Sequence, residues 1–338
     1  WKTDEGVMNR VKDHFAERGI PLPEASLEQA RVPSACTVLA NTRGSAPGMW
    51  FEKNNTIYIS MPGVPYEMKG IFTDAAASMI RQRLKDQNIA HRTIMTQGVG
   101  ESTLMKMLSG WESEVADAGL KLAYLPSAGS VRLRVSGIEN GNKHLHLKIA
   151  SVVERVLPIL GDFVYGFDEE RLEQVIGRLL KENGMSMATA ESCTGGYISH
   201  MITSVSGSSE YFKGAVTAYS NEIKENVLGV ERSDLETHGA VSEQVAIQMA
   251  EGARRTLNTD YAVSTTGVAG PTGGTPDKPV GTVWIGIAGP NGSYAEKFRM
   301  GKLRESNIRK SAMQALQMLR KEIISTSKLS VQDSLYLK

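Results

Sequence analysis

The chain has 338 residues, 41% of them hydrophobic and 22% charged, and a formal net charge of +1. This composition is ordinary for a globular protein with two or three domains, and the near-neutral charge argues against a nucleic-acid-binding tail or a membrane-surface patch. No uninterrupted apolar run approaches the length of a membrane span. The two cysteines, Cys36 and Cys193, lie in different predicted domains. They predict free thiols in a cytoplasmic protein rather than a zinc site.

The N-terminal region is predicted to be part of an α/β domain. Apolar residues at helical spacing predict a helix over residues 4–18, and strand-like runs cover 36–40 and 56–60. Each strand-like run is followed by a loop rich in glycine and proline, and a second helix is predicted from Glu67 to about residue 85. Strand ends that lead through such loops into a helix are typical of a ligand-binding edge. Glu67 is the carboxylate on this edge, and we interpret it as a charge that favours the helix N-terminus.

The middle region is predicted to be a small α+β unit. Its predicted strands cover residues 93–97, 121–125 and 131–135, and its predicted helices cover 101–108 and 143–157. Two arginines, at positions 132 and 134, alternate onto one face of the third strand. We interpret this face as solvated.

The C-terminal region alternates helices with strands, which predicts a three-layer α/β domain. The predicted helices cover residues 169–182, 222–228, 242–257 and 305–323, and another begins at Tyr197. The predicted strands cover residues 185–190, 214–219, 261–266, 281–288 and 293–300. A serine followed by acidic and amide residues at the start of the 242–257 segment is the pattern of a helix cap.

The most informative stretch is residues 188–196, with the sequence ATAESCTGG, which joins a predicted strand to the helix that begins at Tyr197. Glycines on such a turn let a ligand approach the backbone, and free N–H groups at a helix start attract an anion. A hydroxyl on the same turn can be a nucleophile. The alternative is that Ser192 or Thr194 only caps the helix.

Further motifs follow this turn in a fixed order. They are TAYSNEIK at 217–224, HGAVSE at 238–243, STTGVAGPTGG at 264–274 and KPVGTVW at 278–284. Together with ATAESCTGG, this set resembles the C-terminal domain of the competence-damage inducible protein (CinA) family, over residues from about Asp168 to Ile324. The resemblance implies a nicotinamide mononucleotide amidohydrolase of pyridine nucleotide salvage, which releases nicotinate mononucleotide and ammonia. It also implies a homodimer and a small pyridine nucleotide as the partner.

The other two regions resemble the remaining modules of the same family. The middle region resembles the KH-like module, but a Gly-x-x-Gly loop between two helices is not evident, so we expect a spacer or dimer contact rather than an RNA site. The N-terminal region resembles a molybdopterin-binding-like domain that the family links to metal-dependent ADP-ribose pyrophosphatase activity. We therefore predict a partial α/β domain over 1–88, a KH-like α+β module over 89–166 and the amidohydrolase domain over 167–328.

Hydrolysis of a carboxamide needs a nucleophile, a base and donors for the oxyanion. Ser192 is the candidate nucleophile, and Lys224 is its candidate base if burial lowers the pKa of the amine. We assign Tyr219 to the catalytic group because it can stack on the pyridine or hydrogen-bond to it. Cys193 is the rival nucleophile. The histidines at 200 and 238 are interpreted as structural, so a Ser–Lys arrangement is favoured over a Ser–His–Asp triad.

The resemblance and the loop chemistry together predict the substrate-binding residues. Thr194, Gly195 and Gly196 offer N–H groups to an oxyanion or a phosphate, Glu191 pairs with Lys224 or holds the loop, and a second glycine loop closes over the nucleotide. Arg304 or Arg309 binds phosphate by its planar fork, although Leu303 stands where the family has an aspartate. The predicted substrate-binding set is Glu191, Thr194, Gly195, Gly196, Asn221, Thr266, Gly267, Ala269, Gly270, Arg304 and Arg309.

Two other functions remain open at this stage. One is the metal-dependent ADP-ribose pyrophosphatase, and the other is a protein that binds a nucleotide or pterin without turnover. A pyrophosphatase needs acidic ligands for a divalent cation, and the family's Gly-Gly-x-Gly-Pro-x-x-Asp-Asp loop is absent from this sequence. We therefore expect a divalent metal only for an intact N-terminal domain, weak pyrophosphatase activity here, and neither metal nor cofactor for the amidase.

Overall fold

A computed structural model describes residues 1–83, 88–127, 129–139 and 144–327. The chain divides into two compact units, Trp1–Gln87 and Asn88–Lys338. The second unit contains both the predicted KH-like module and the predicted amidohydrolase domain.

The first unit is a small antiparallel sheet with short helices. Asp4 caps the first helix, since its side chain accepts a hydrogen bond from the N–H of Val7 at 3.0 Å. Three strands pair in the order β3-β4-β5. The elements are β1 (Lys2–Thr3), α1 (Glu5–Glu17), α2 (Glu24–Leu27), β2 (Arg31–Val32), β3 (Thr37–Leu39), β4 (Gly48–Lys53), β5 (Thr56–Ser60), α3 (Pro65–Ile71) and α4 (Ala77–Arg83).

Two features of this unit differ from the sequence analysis. Strand β4 was missed, and it pairs with both neighbouring strands. The long helix predicted from Glu67 is interrupted by a π-helical turn, Phe72–Ala76, and its predicted end near residue 85 lies outside the described residues. Glu67 does lie in the first turn of α3.

The second unit begins with an antiparallel sheet of strand order β7-β8-β6-β9. Helices cover one face, and the side chain of Trp111 donates a hydrogen bond to the carbonyl of Val152 at 2.9 Å within their core. The elements are β6 (Asn88–Gln97), α5 (Glu101–Met107), α6 (Ser109–Asp117), β7 (Lys121–Ser127), β8 (Ser130–Glu139), α7 (Leu145–Leu160) and β9 (Val164–Phe167).

The predicted strands and helices of this part are present, but α6 and β9 were missed. The segment predicted as an exit to the next domain, around Gly166, is strand β9, which pairs with β6. The predicted domain break at this point therefore falls within a strand rather than in a loop. The predicted start of α7 at residue 143 lies outside the described residues.

The rest of the unit is built on a five-stranded sheet of order β11-β10-β12-β13-β14. Strands β11, β10 and β12 are parallel, and β13 and β14 run antiparallel to their neighbours. The elements are α8 (Leu172–Glu182), β10 (Met187–Glu191), α9 (Tyr197–Thr203), β11 (Phe212–Thr217), α10 (Asn221–Leu228), α11 (Arg232–His238), α12 (Glu243–Leu257), β12 (Tyr261–Gly267), β13 (Thr282–Gly289), β14 (Gly292–Arg299) and α13 (Arg304–Ser327).

The predicted three-layer α/β arrangement is confirmed. Alternate residues of a strand face opposite sides of a sheet, so Met187 packs in a core with α8, α9 and α13, whereas Ala188 and Ala190 pack with α10, α11 and α12. Helix α11 was missed from the sequence. Ser242 does precede α12, but its side chain makes no cap hydrogen bond and donates instead to the carbonyl of Gly239.

The strand order creates a crevice at the carboxyl ends of β10 and β11. The chain leaves β10 towards α9 on one face, and it leaves β11 towards α10 on the other face. Loops that diverge in this way form the topological switch point at which α/β proteins bind ligands. Ser192 follows β10 and Tyr219 follows β11, so the predicted catalytic residues lie at the two sides of this crevice.

Candidate active site

The turn that carries Ser192 is fixed by backbone hydrogen bonds. The N–H of Ser192 donates to the carbonyl of Thr265 on β12 at 2.9 Å, and the N–H of Gly195 donates to the carbonyl of Ser192 at 3.1 Å. Gly195 and Gly196 have φ angles of 61° and 96°, a region that glycine enters without steric cost. The two glycines therefore let the chain reverse directly from the strand into α9.

Glu191 holds the start of α9. Its carboxylate is fully buried and accepts hydrogen bonds from the N–H groups of Gly196, Ile198 and Ser199 at 3.0, 3.0 and 2.8 Å. A carboxylate at this position satisfies otherwise unpaired donors and complements the helix dipole. Of the two roles predicted for Glu191, the contacts support the one in which it holds the loop.

This arrangement changes the expectation for the glycine turn. The N–H groups at the start of α9, including that of Gly196, are bonded to Glu191 and are not free to bind a phosphate. Neither Ser192 nor Thr194 caps the helix with its hydroxyl; the Thr194 hydroxyl shares a hydrogen bond with that of Thr265 at 2.7 Å. Among the described residues, the N–H groups of Cys193 and Thr194 have no oxygen acceptor.

We expect Glu191→Ala to destabilise the protein strongly. Three N–H groups, one buried and two partly buried, would lose their acceptor, and because an unsatisfied buried group costs about 1–3 kcal/mol, the expected loss is about 3 kcal/mol. Chemical denaturation followed by circular dichroism measures this loss. Glu236→Ala, which removes an exposed ion pair to Arg232, is the control, with an expected cost below about 1 kcal/mol. Equal costs for the two variants would contradict the role of Glu191.

Lys224 is buried at the other side of the crevice, with 1% of its surface exposed. Ser220 caps α10 by accepting from the N–H of Ile223, which places Lys224 on the first turn and turns it back towards the loop. Its ammonium Nζ donates to the carbonyls of Ala218 at 2.8 Å and Ser220 at 3.5 Å. Burial lowers the pKa of this amine from its ordinary value. The neutral form, which can accept a proton, is therefore favoured more than in a surface lysine.

Cys193 lies in the same environment but is the weaker nucleophile. Its side chain is buried, and burial raises the pKa of the thiol to about 12. The thiolate, not the thiol, is the reactive form, so Cys193 stays protonated and unreactive near neutral pH. A Cys193 thiolate would raise the pKa of Lys224, and the Lys224 ammonium lowers the pKa of the Cys193 thiol, so the lysine amine lies within electrostatic range of the turn that bears Ser192. Ser192 itself is only half-buried.

Comparisons with known proteins identify the family. A family model described as the CinA C-terminal domain matches residues 169–323, and one described as the damage-inducible protein CinA KH domain matches residues 91–166. A CinA-like protein of Cytophaga hutchinsonii is 43% identical over 320 residues, which cover 95% of this chain and 76% of that protein. The chain belongs to the CinA family.

The chain is similar to two further proteins. A CinA-like protein of Flavobacterium psychrophilum is 44% identical over 319 residues, covering 94% of this chain and 75% of that protein. The crystal structure of the competence/damage inducible protein CihA from Agrobacterium tumefaciens has 37% sequence identity and a TM-score of 0.43, and it covers 44% of this chain and 94% of that one.

In the CinA C-terminal domain of this chain, the crevice has a second wall formed by Tyr219 and α13. Tyr219 lies beyond the end of β11 rather than within the predicted strand, and 64% of its surface is exposed. One Nη atom of Arg304 donates to the Tyr219 hydroxyl at 3.0 Å, and the other donates to the carbonyl of Gly270 at 2.8 Å. Leu303, which replaces the family's aspartate, is exposed and supplies no carboxylate to Arg304.

The remaining predicted residues are placed as follows. Asn221 is exposed at the first position of α10, and Gly267 ends β12, where it pairs with Val283. The Thr266 hydroxyl is buried and donates to the carbonyl of Ala240 at 2.6 Å. Arg309 is exposed and pairs with Glu305 at 2.9 Å.

Sequence reasoning missed one residue of this region, Asn307. It is buried in the second turn of α13, and its amide donates to the carbonyls of Ala269 and Gly301. The sequence signal that could have identified Asn307 is a polar residue on the inner face of the amphipathic helix predicted over 305–323.

Two other features, a metal-ion cluster and a membrane-spanning helix, are absent from the described residues. Within the described ranges, no group of three or more His, Cys, Asp or Glu side chains is arranged to hold a metal ion. None of the helices in the part of the chain that the structure describes has the length and apolar character needed to cross a membrane.

Proposed function

We propose that the C-terminal domain is an amidohydrolase that converts nicotinamide mononucleotide to nicotinate mononucleotide and ammonia. The observation that carries the proposal is Lys224, a buried lysine with a lowered pKa at the same crevice as Ser192. A perturbed titratable group in a crevice beside a candidate nucleophile is typical of a catalytic site. The family to which the chain belongs supports the reaction class.

In the first half of the reaction, Ser192 attacks the carboxamide carbon. The neutral amine of Lys224 accepts the hydroxyl proton as the C–O bond forms, which gives a tetrahedral oxyanion. The N–H group of Thr194, which has no acceptor among the described residues, stabilises that oxyanion. The Lys224 ammonium then donates its proton to the leaving amino group. The C–N bond breaks, ammonia departs, and an acyl ester of Ser192 remains.

In the second half, water hydrolyses this ester. Lys224, again neutral, accepts a proton from the water as its oxygen attacks the acyl carbon. Collapse of the second tetrahedral species breaks the ester bond, and the lysine returns the proton to Ser192. The carboxylic acid released then loses its remaining proton to solvent, which gives the nicotinate carboxylate. The carbonyls of Ala218 and Ser220 keep the amine in place throughout both steps.

The contacts also suggest how the nucleotide is held. Tyr219 offers an exposed aromatic face to the pyridine ring. Because Glu191 occupies the helix start, the phosphate is assigned to the arginines of α13 rather than to the glycine turn. Arg304 and Arg309 line an open pocket of about 400 Å³, and their planar forks match phosphate oxygens.

Ammonia release by the purified protein tests the proposal. We expect turnover of nicotinamide mononucleotide in the presence of a chelator, and much slower turnover of free nicotinamide, which lacks the ribose phosphate. If a chelator abolished the activity and added metal restored it, the role assigned to Lys224 would pass to a metal-bound water. Nucleotide binding by calorimetry without ammonia release would instead indicate a binding protein.

Weak pyrophosphatase activity of the N-terminal unit stays a prediction. An ADP-ribose pyrophosphatase needs acidic ligands for its divalent ion. In the described part of this unit, the Glu67 carboxylate accepts a hydrogen bond from the Asn41 amide at 2.7 Å, and Asp74 pairs with Arg43 at 3.9 Å. We assign no metal-dependent step to these residues.

The proposal keeps two further expectations from the sequence. A homodimer remains a prediction, to be measured by solution scattering. A cytoplasmic location is supported by Cys36 and Cys193, which are both unpaired and buried.

A further inference from the structure

Asn307 connects two separate loops of the C-terminal domain. Only 1% of its surface is exposed, and its side-chain Nδ2 donates to the carbonyl of Ala269 at 2.9 Å and to that of Gly301 at 3.1 Å. Ala269 lies in the loop after β12, and Gly301 lies in the loop between β14 and α13. One amide group therefore fixes the distance between the two loops.

Arg304, one turn earlier on α13, extends the same connection. It donates to the carbonyl of Gly270, next to Ala269, and to the hydroxyl of Tyr219. Side chains from the first two turns of one helix thus reach three loops, including the one that carries the proposed pyridine-contacting ring.

These loops need such a tether because glycines weaken their own conformational preference. Gly270 and Gly301 have φ angles of 85° and 140°, where glycine meets little steric restriction. Hydrogen bonds from a rigid helix replace the missing steric restriction.

The cost of burying Asn307 also indicates a positional role. Its Oδ1 is buried without a hydrogen-bond partner among the described residues. An unpaired buried acceptor offsets much of what the two donated hydrogen bonds contribute to stability. The residue is thus poorly explained by stability alone, whereas its two donated bonds set a precise loop geometry.

We propose that Asn307 is a positioning residue for the candidate active site. It holds the Ala269–Gly270 loop against α13, and through the Gly270 carbonyl it keeps Arg304 and Tyr219 in the orientation that receives the nucleotide. The kinetic part of this inference rests on the proposed amidohydrolase function; the structural part does not.

Two variants of Asn307 test the inference by kinetics. In Asn307→Ala both donated hydrogen bonds are lost. We expect KM for nicotinamide mononucleotide to rise about tenfold, and kcat to change by less than about threefold. The effect on kcat is small because Ser192 and Lys224 are untouched. Asn307→Asp should show a larger defect near neutral pH, since a carboxylate would face two carbonyls. That defect should shrink as the pH falls and the introduced carboxyl group becomes a donor, whereas the Asn307→Ala defect should not.

Asn183→Asp is the matched control. The Asn183 amide also donates to a carbonyl, that of Leu179 at 2.7 Å, but at the end of α8. We expect its KM to stay within about twofold of the wild type. A similar rise in KM in the control, or a fall confined to kcat in the Asn307 variants, would overturn the inference.

Amide hydrogen exchange on the free protein separates this inference from the proposed function. Faster exchange in Asn307→Ala at residues 267–271 and 300–303, with α8 and β10 unchanged, supports the tether even if the wild type releases no ammonia. Unchanged exchange at both loops would overturn the tether, whatever the activity. Circular dichroism confirms that each variant is folded under the assay conditions.

Discussion

Ser192→Ala is expected to abolish ammonia release while the protein stays folded and still binds the nucleotide. The proposed reaction forms a covalent bond to the Ser192 hydroxyl, so no general acid or base can compensate for its removal. General acid–base help alone contributes about 10²–10⁴-fold, and loss of the nucleophile disables that help as well, so we expect a fall of at least about 10³-fold in kcat. The side chain is half-buried and makes no structural hydrogen bond among the described residues, so nucleotide affinity by calorimetry should be nearly unchanged.

Cys193→Ala is the matched control for this variant. It changes the adjacent residue on the same turn and also removes one heavy atom beyond Cβ. Because the thiol pKa is raised to about 12, the wild-type enzyme has almost no thiolate at neutral pH, and most of the activity should remain. Full activity in Ser192→Ala would remove the serine from the role of nucleophile, and loss confined to Cys193→Ala would assign that role to the cysteine.

The sequence was sufficient to predict the elements that bear the candidate site. The strand before Ser192, the helix that begins at Tyr197 and the helix that bears Lys224 are all present within about two residues of the predicted bounds. In these segments the apolar spacing and the turn chemistry indicate the same structure, so local signals alone were adequate. The same applies to β12, β13 and β14.

The elements that were missed depend on contacts distant in sequence. Strand β4 contains Gly48 and follows a glycine- and proline-rich loop, and only its pairing with β3 and β5 makes it a strand. Strand β9 is four residues long and contains Gly166, but it extends the sheet by pairing with β6, about seventy positions earlier in the chain. Such pairing overrides weak local propensity.

The partners of charged groups were equally hard to predict. Glu191 was expected either to pair with Lys224 or to hold the loop, and the choice depends on where three N–H groups point after the chain has turned at Gly195 and Gly196. The bonds from Arg304 to Gly270 and Tyr219 join two loops to the start of α13. Neither arrangement has a sequence spacing that would reveal it.

A buried lysine without a carboxylate partner is costly, which suggests that Lys224 is kept for chemistry. Two carbonyls, those of Ala218 and Ser220, accept its hydrogen bonds. Carbonyl dipoles do not neutralise a full charge, and desolvation is the main cause of the lowered pKa. The same burial that disfavours the ammonium form raises the fraction of neutral amine near neutral pH, and the neutral amine is the form that can accept a proton. Stability and activity therefore make opposite demands on this residue.

Lys224→Met and Lys224→Arg are both expected to lose turnover by about 10²–10⁴-fold, because methionine has no base and arginine does not deprotonate in proteins. Lys213→Met is the control, since Lys213 is an exposed lysine near the start of β11, at the other end of the strand from Ala218 and Ser220, and it should remain active. In the wild type, kcat/KM should rise with pH through the lowered pKa of Lys224. Retained turnover in Lys224→Arg would remove the lysine from the role of base.

The stability of Lys224→Met relative to the wild type should depend on pH in a defined direction. The pKa of Lys224 is lower in the folded protein than its ordinary value of 10.5, so between these two values the unfolded chain binds more protons than the folded one. Wild-type stability therefore rises with pH across this window, whereas Lys224→Met lacks this contribution. Below the folded-state pKa the burial cost is fully present, and Lys224→Met should gain most relative to the wild type. Denaturation midpoints of both proteins at several pH values up to 10.5 measure the stability difference between Lys224→Met and the wild type. If this stability difference stayed constant or widened as the pH rose, burial would not depress the pKa of Lys224.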